Sequence, residues 1–498
     1  PDNPGCYEEL KDGNCYFVDK TEYLKTVFTS STKVQLFTRP RRFGKTLLMT
    51  MFETFLKINP DKPFDTTLQQ KYFQGTRILE DKEFCSKFMG QYPVIDITLK
   101  DVTGKTFEIA YKNFAKEISK LAEKYRYLLN SPKLDKEDKD KLSKILKVEF
   151  LREFENSDYL TGSLSTIATA LYKEYGKYPV LLIDEYDVPL ANASYHDIQN
   201  TKLYRDEKDF KADFHYNMVD LMKSFLGILK DQKTLTKVII TGCLKVAKNT
   251  LFTGVNNLKV NTVLSENEDY TGIIGFTKEE TYKFLKDYKM DNFAQKVKEH
   301  YDGYKFYDKE IFCPWDIVSF ISDYYKKNLK GTLKLNRLEN YWEGTTSDKS
   351  LSGYLGYLTD NDNQKMQDLV DGKSISFILN ESMNYDCLSQ HESDDFWSLL
   401  LHTGYLTVDW EKTDEAELSK DSKTNKEIFA RIPNLEILEC FEHNIKTRFS
   451  SEFVKLNLHN KLVDALSCGN QKETYDIFFD MLQKYVSIRD TATKAPLE

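Results

Sequence analysis

Gly44, Lys45 and Thr46 stand between an apolar run, Val34-Gln-Leu-Phe-Thr38, and a second one made by Leu47, Leu48, Met49, Met51 and Phe52. Strand, glycine turn and helix in that order predict a phosphate-binding loop of the G-x-x-x-x-G-K-[ST] kind, a Walker A motif. Gly44 lets the backbone pass close to a phosphate. Lys45 places a point charge between the outer phosphates, and the Thr46 hydroxyl is of the type that ligates magnesium. The helix opening at Leu47 aims its positive end at the anion. Arg39, Arg41 and Arg42 add local positive charge, assigned to nucleotide phosphates, while the backbone at Phe43 and Gly44 closes over them. Arg39 occupies the position of the motif's first glycine.

Such a loop needs a metal-side partner, and Tyr178-Pro-Val-Leu-Leu-Ile-Asp-Glu-Tyr-Asp187 supplies the pattern. Val180 to Ile183 is a short continuous apolar run, which suits a strand buried on both faces of a parallel sheet. Acidic residues follow at its carboxyl end, where open α/β sheets place ligands. Asp184 is the expected magnesium carboxylate, direct or through water (Walker B). Glu185 is placed to orient and deprotonate an attacking water. The spacing of about 140 residues between loop and acidic pair is sensible for such folds. Thr236 to Gly242 is a third strand, expected between the other two. Its last polar residue, Thr241, either senses the outer phosphate or caps a turn before Gly242.

Three segments of the chain thus call for one α/β core, and the rest of the sequence is compatible with it. A fourth strand is expected over Tyr92 to Leu99. The segment 105–175 is helical in pattern, with Phe107, Ala110, Phe114, Ile118, Leu121 and Ala122 on one stripe. The run Asp135-Lys-Glu-Asp-Lys-Asp-Lys reads as a solvated helix face, and Met218 to Leu229 as a further helix. Strands alternating with helices predict a parallel sheet of about five strands.

After about residue 275 the chain becomes rich in Tyr, Phe and Lys, and 276–345 reads as a small helical lid or linker. Residues 394–404 form a helix stopped by Gly404. A strand, a polar loop from Glu411 to Glu427 and a second strand, Ile428 to Ile432, complete a winged-helix outline. The expected division is a P-loop core over 1–275, the lid over 276–345, and a winged-helix-like and helical region over 346–498.

Composition narrows the function classes. With 30% charged and 40% hydrophobic residues the chain is of ordinary globular type. A net charge of −8 provides no global field to recruit nucleic acid. The wing loop is not net basic, so an intramolecular packing role is favoured for it over contact with nucleic acid or a partner. No stretch of 18 apolar residues exists to span a membrane. The eight Cys lack any C-x-x-C pair and only seven His are present, which argues against zinc. Scattered Cys fit a reducing, intracellular and cytoplasmic setting, with Cys6 and Cys15 the one pair near enough in sequence to consider as a disulfide.

The landmarks together resemble the AAA-ATPase-like family, P-loop ATPases of the AAA+/STAND kind that often carry a C-terminal PD-(D/E)XK nuclease-like domain. The resemblance rests on Tyr16-Phe-Val-Asp-Lys-Thr, Arg39-Pro-Arg-Arg-Phe-Gly-Lys-Thr and Leu182-Ile-Asp-Glu-Tyr-Asp-Val-Pro-Leu. It continues through Thr241-Gly, Leu251-Phe-Thr-Gly-Val-Asn-Asn, Gly275-Phe-Thr, Tyr301-Asp-Gly-Tyr-Lys-Phe, Pro314-Trp, Tyr341-Trp, Thr403-Gly-Tyr-Leu-Thr and Ile432-Pro-Asn. Arg39 in place of glycine is a trait of the resembled family, whereas Cys313 departs from its more usual Asn. The resemblance implies ATP as the nucleotide, with Mg2+, and an ATP-hydrolysing switch. It also implies either self-association into rings or a triggered monomer. No Asp…Glu-x-Lys arrangement occurs over 439–498, so the chain is expected to be the ATPase and adaptor part without the nuclease-like domain. The other reading is a nucleotide-binding scaffold with little catalysis, in which Arg39 and Arg41 fill the phosphate space themselves. A third is the ATPase module of a DNA-processing protein.

Overall fold

A computed structural model describes residues 5–203, 213–231, 233–245, 251–307, 309–330, 338–342, 360–380, 393–413, 426–443 and 458–485. They fall into two compact units, one drawn from 1–341 and 357–435, the other from 342–356 and 436–498.

The first unit is built on a parallel sheet of β1 (Val34–Thr38), β2 (Val94–Thr98), β3 (Val180–Asp184), β4 (Lys237–Gly242) and β5 (Leu258–Asn261), in the order β2-β3-β4-β1-β5. Every residue of β1, β3 and β4 is buried. That is why they show no apolar/polar alternation, with Val180 to Ile183 an unbroken apolar run and Gln35 and Lys237 buried within β1 and β4. The register pairs Leu36 with Ile240 and Leu182 with Ile239, so the P-loop strand and the acidic strand flank β4 as expected. Phe37, Phe52, Phe55, Leu182 and Ile239 share one apolar core beneath the loop.

The flanking helices follow their sequence stripes. Helix Phe107–Glu123 buries Ala110, Phe114, Ile118, Leu121 and Ala122, and its first turn is capped by the Thr106 side chain. The charged run is the outer face of helix Lys136–Ile145, which buries only Leu142 and Ile145. Asp135 and Asp138 form a capping box at its start. The helix expected over Met218–Leu229 runs from Phe214 to Phe225 and tightens into a 3-10 turn at Leu226–Lys230.

Two departures concern segments too short to show a period. The stretch read as a helical lid contains helices Lys278–Asp287, Ala294–Tyr301 and Pro314–Leu329. It also contains an antiparallel sheet of β6 (Phe276–Thr277), β7 (Tyr304–Phe306) and β8 (Lys309–Phe312), in the order β6-β8-β7. Strands of two to four residues carry no readable alternation. Further on, helix Ser393–Thr403 is followed by Gly404 at φ +93, then β10 (Thr407–Val408) and β11 (Lys426–Arg431), antiparallel as anticipated. A third strand, β9 (Ile375–Leu379), pairs antiparallel with the outer side of β11 and was not anticipated. Of the polar loop, residues 414–425 lie outside the described ones. In the second unit, helices Leu458–Ser467 and Gln471–Tyr485 pack as a pair.

Cys6 and Cys15 are free thiols, so the considered disulfide is not formed. Cys387 lies outside the described residues. No helix among the described residues is long and apolar enough to cross a membrane.

Candidate functional site

The phosphate-loop turn is set by its backbone. Arg42 and Gly44 take left-handed conformations, φ +68 and +92, and Gly44 is the N-cap of the twelve-residue helix Lys45–Leu56. A glycine meets that geometry without strain, and the free N–H groups of the helix start converge beside it.

Thr46, Asp184 and Thr241 meet at the carboxyl edge of the sheet. Thr46 Oγ1 donates to Asp184 Oδ2 at 2.6 Å, and Thr241 Oγ1 donates to Asp184 Oδ1 in a short hydrogen bond. Asp184 is buried while Thr46 is exposed, so the group opens toward solvent from the threonine side. A hydroxyl beside a carboxylate, facing a cavity, is the donor set a hard cation such as magnesium takes, with water completing its shell. Thr241 does not merely cap a turn; its hydroxyl is spent on the acidic residue of the neighbouring strand.

Glu185 follows at φ +52, half-buried, with its own N–H on Asp184 Oδ1 at 3.1 Å. Burial pushes its carboxyl above the usual range, Lys45 pulls it back, and Asp184 and Asp187 add to the rise. A raised carboxyl is a better proton acceptor near neutral pH than an ordinary one.

Lys45 is buried and its Nζ donates to the loop carbonyls of Arg39 (3.1 Å) and Pro40 (2.9 Å), with Cys243 Sγ at 3.7 Å. Its charge is therefore held at the loop it would use. Arg41 is half-buried and near enough to lower the pKa of Glu185. Leu47 and the loop residues Arg42 to Thr46 line the same cavity, of about 480 Å³. Tyr16, Phe17, Val18, Ile274, Phe276 and Trp315 give it an apolar wall.

Arg39 departs from its expected role. Its guanidinium turns away from the phosphate cavity into the sheet edge, donating to Thr38 O (2.9 Å), Asn261 O (3.0 Å) and Tyr270 O (3.2 Å). It lies over the Phe306 ring at 5.3 Å, and burial lowers its pKa to about 10. A cation so placed holds the ends of β1 and β5 together, and three carbonyls take three of its five N–H donors. Arg42 is divided: it lines the cavity, yet donates to Tyr341 O and covers the Trp315 ring at 4.9 Å. Phe43 contributes backbone only. Its ring is buried against Tyr304 and Phe306, and its carbonyl accepts from Gly275 N at 3.0 Å.

Reasoning from sequence did not single out Asp187. Its carboxylate accepts from Cys243 N (3.0 Å) and Leu244 N (2.9 Å), and Tyr186 Oη donates to Leu244 O at 2.7 Å. These bonds lace the segment after β3 to the segment after β4. Gly242 permits the approach, because a Cβ there would lie 2.6 Å from Asp187 Oδ1 and from the Tyr186 ring. The acidic doublet Asp184–Asp187 was the available signal, but two carboxylates three apart do not reveal which serves the backbone.

A five-stranded parallel sheet flanked by helices, with a Gly-Lys-Thr turn joining β1 to its helix, is the arrangement of the P-loop class of α/β proteins. Residues 5–252 match the model of the AAA-ATPase-like family, described as predicted AAA-ATPases, and the chain belongs to that family. No relative among the curated proteins matches the sequence.

Proposed function

We propose that the chain binds ATP with Mg2+ and hydrolyses it as a molecular switch. The observation that carries this reading is the convergence of Thr46, Asp184 and Thr241 on one another, with Glu185 next along the backbone. Thr46 and Asp184 would hold the magnesium ion, which would supply charge neutralisation at the phosphates. Lys45 exchanges the carbonyls of Arg39 and Pro40 for phosphate oxygens. Glu185 accepts a proton from the attacking water as its oxygen bonds to the γ-phosphorus. The bridging P–O bond breaks, its electron pair leaving on ADP. Tyr16, Phe276 and Trp315 form the wall against which the base packs. Arg42, bonded to Tyr341 and stacked on Trp315, ties the phosphate loop to residues 276–345, which act as the lid. The β9–β11 region takes the winged-helix role of an adaptor.

The scaffold reading is favoured by one observation, the engagement of Lys45 with its own loop. Nucleotide binding and hydrolysis with magnesium decide between them, measured on the wild type beside Lys45→Ala and Glu185→Gln. Hydrolysis by the wild type, binding without turnover in Glu185→Gln and neither in Lys45→Ala support the switch. Tight binding without turnover in the wild type supports the scaffold.

A further inference from the structure

Four cationic side chains line the phosphate cavity: Lys20, Arg42, Lys45 and Lys100. Three are engaged. Lys20 Nζ donates to Gly272 O (2.7 Å) and Glu280 Oε2 (2.6 Å), Arg42 to Tyr341 O, and Lys45 to Arg39 O and Pro40 O. Lys100 differs. Its side chain is exposed, and no carboxylate or carbonyl among the described residues accepts from its Nζ.

Its place in the sheet says what it faces. The β2–β3 register sets Thr98 level with Asp184, and Leu99 N donates to Asp184 O at 3.0 Å. Lys100 therefore stands in the turn that follows β2, two residues past the strand end that is level with the acidic residue. Thr98 and Lys100 are exposed while Ile97 and Leu99 are buried, and Lys100 lines the cavity. Strand β2 lies beyond β3 from the phosphate loop, which places Lys100 across Asp184 and Glu185 from Lys45.

We infer that Lys100 meets the terminal phosphate of a nucleoside triphosphate, an anionic group that a diphosphate lacks. The inference rests on the nucleotide reading above and adds a residue to it. Lys100 contacts non-bridging oxygens of the γ-phosphate. It offsets their charge while the water oxygen bonds to phosphorus, Glu185 takes the water proton, and the bond to the β-phosphate breaks with its electrons on the diphosphate. A fixed cation aimed at charge that builds in the transition state lowers the barrier without reorganising. A lysine on a four-carbon stem acts there as a point charge, so arginine is a partial substitute.

The test compares the wild type with Lys100→Ala and Lys100→Arg in the full chain with magnesium. It uses calorimetric affinities for ATPγS and ADP, steady-state ATP hydrolysis, and a thermal melt to show that each variant is folded. For Lys100→Ala the affinity for ATPγS falls about tenfold while that for ADP stays within about twofold. Turnover falls about 10²-fold, the order seen when one preorganised donor to a developing anion is removed. Lys100→Arg recovers part of both. Unchanged discrimination between ATPγS and ADP together with unchanged turnover overturns the assignment. So does a rise in turnover, which would mark Lys100 as a restraint on Glu185. A wild type that binds neither nucleotide overturns the nucleotide reading and this inference with it. A wild type that binds ATPγS no differently from Lys100→Ala removes Lys100 alone.

Discussion

The two ends of the parallel sheet both carry buried charge and treat it differently. At the amino end, Lys237 opens β4 with its ammonium closed on Ser30 O (2.7 Å) and Thr32 O (2.8 Å). Tyr125 Oη likewise donates to Val94 O at 2.7 Å, and Thr236 Oγ1 to Tyr178 O at 2.6 Å. Each polar side chain there meets a backbone acceptor. At the carboxyl end Thr46, Asp184 and Thr241 satisfy one another and Thr46 borders a cavity, while Lys100 has no acceptor among the described residues. Lys45, at this end, is closed on backbone carbonyls as Lys237 is, but it lines the cavity, and the hydroxyl–carboxylate pair of Thr46 and Asp184 can admit a cation between its oxygens. Buried charge is thus no mark of a site by itself; whether it borders a cavity decides.

The sharpest way to break this contrast is Glu185→Gln. Loss of a positioned base lowers turnover about 10² to 10⁴-fold with nucleotide affinity kept, read by steady-state hydrolysis and calorimetry. Turnover equal to the wild type would make the two ends of the sheet equivalent. The same residue sharpens the contrast through pH. Burial raises its carboxyl above the ordinary 4.5, and the base must be ionised. Turnover therefore rises with pH through that raised value and falls below it, whereas an exposed carboxylate would have ionised earlier.

Arg39→Met tests the contrast inside one loop. Three carbonyls lose their donor, for a stability loss of about 3–5 kcal/mol, seen as an earlier midpoint in denaturant. Nucleotide affinity of the protein that remains folded stays within about threefold. A large affinity loss with stability unchanged would return Arg39 to the phosphates.

The smallest effect belongs to Lys237→Met at the amino end, about 1 kcal/mol in stability and none in turnover. Burial lowers the Lys237 pKa to about 8 from 10.5. Between those values the unfolded chain holds a proton that the folded one has released, so folding gains stability as pH rises across that window. The melting temperature of the wild type, relative to Lys237→Met, should climb from pH 8 to pH 10.5. A flat difference would mean that the ammonium is not desolvated.

The core was legible because its strands are buried on both faces, which leaves a mostly apolar signature without alternation at 34–38, 180–183 and 238–240. Lys45, Thr46, Asp184 and Glu185 were legible because a glycine turn and a strand-end acidic pair are rare beside such runs. Thr241 was half legible, since a strand-end hydroxyl serves a turn as readily as a neighbour. Strands β5 to β9 were missed because two to five residues hold too little pattern.

Residue type and spacing alone therefore determined the P-loop class and the places of the chief strands along the chain. Periodicity and turn chemistry are local properties. Only the tertiary structure decided that Arg39 braces the sheet, that Asp187 holds the backbone after β4, and that Lys100 enters the cavity from β2. Those outcomes depend on which carbonyls and N–H groups from distant segments arrive beside a side chain. Asn261 and Tyr270 lie more than 200 residues from Arg39, and the chain order does not state that they will meet it.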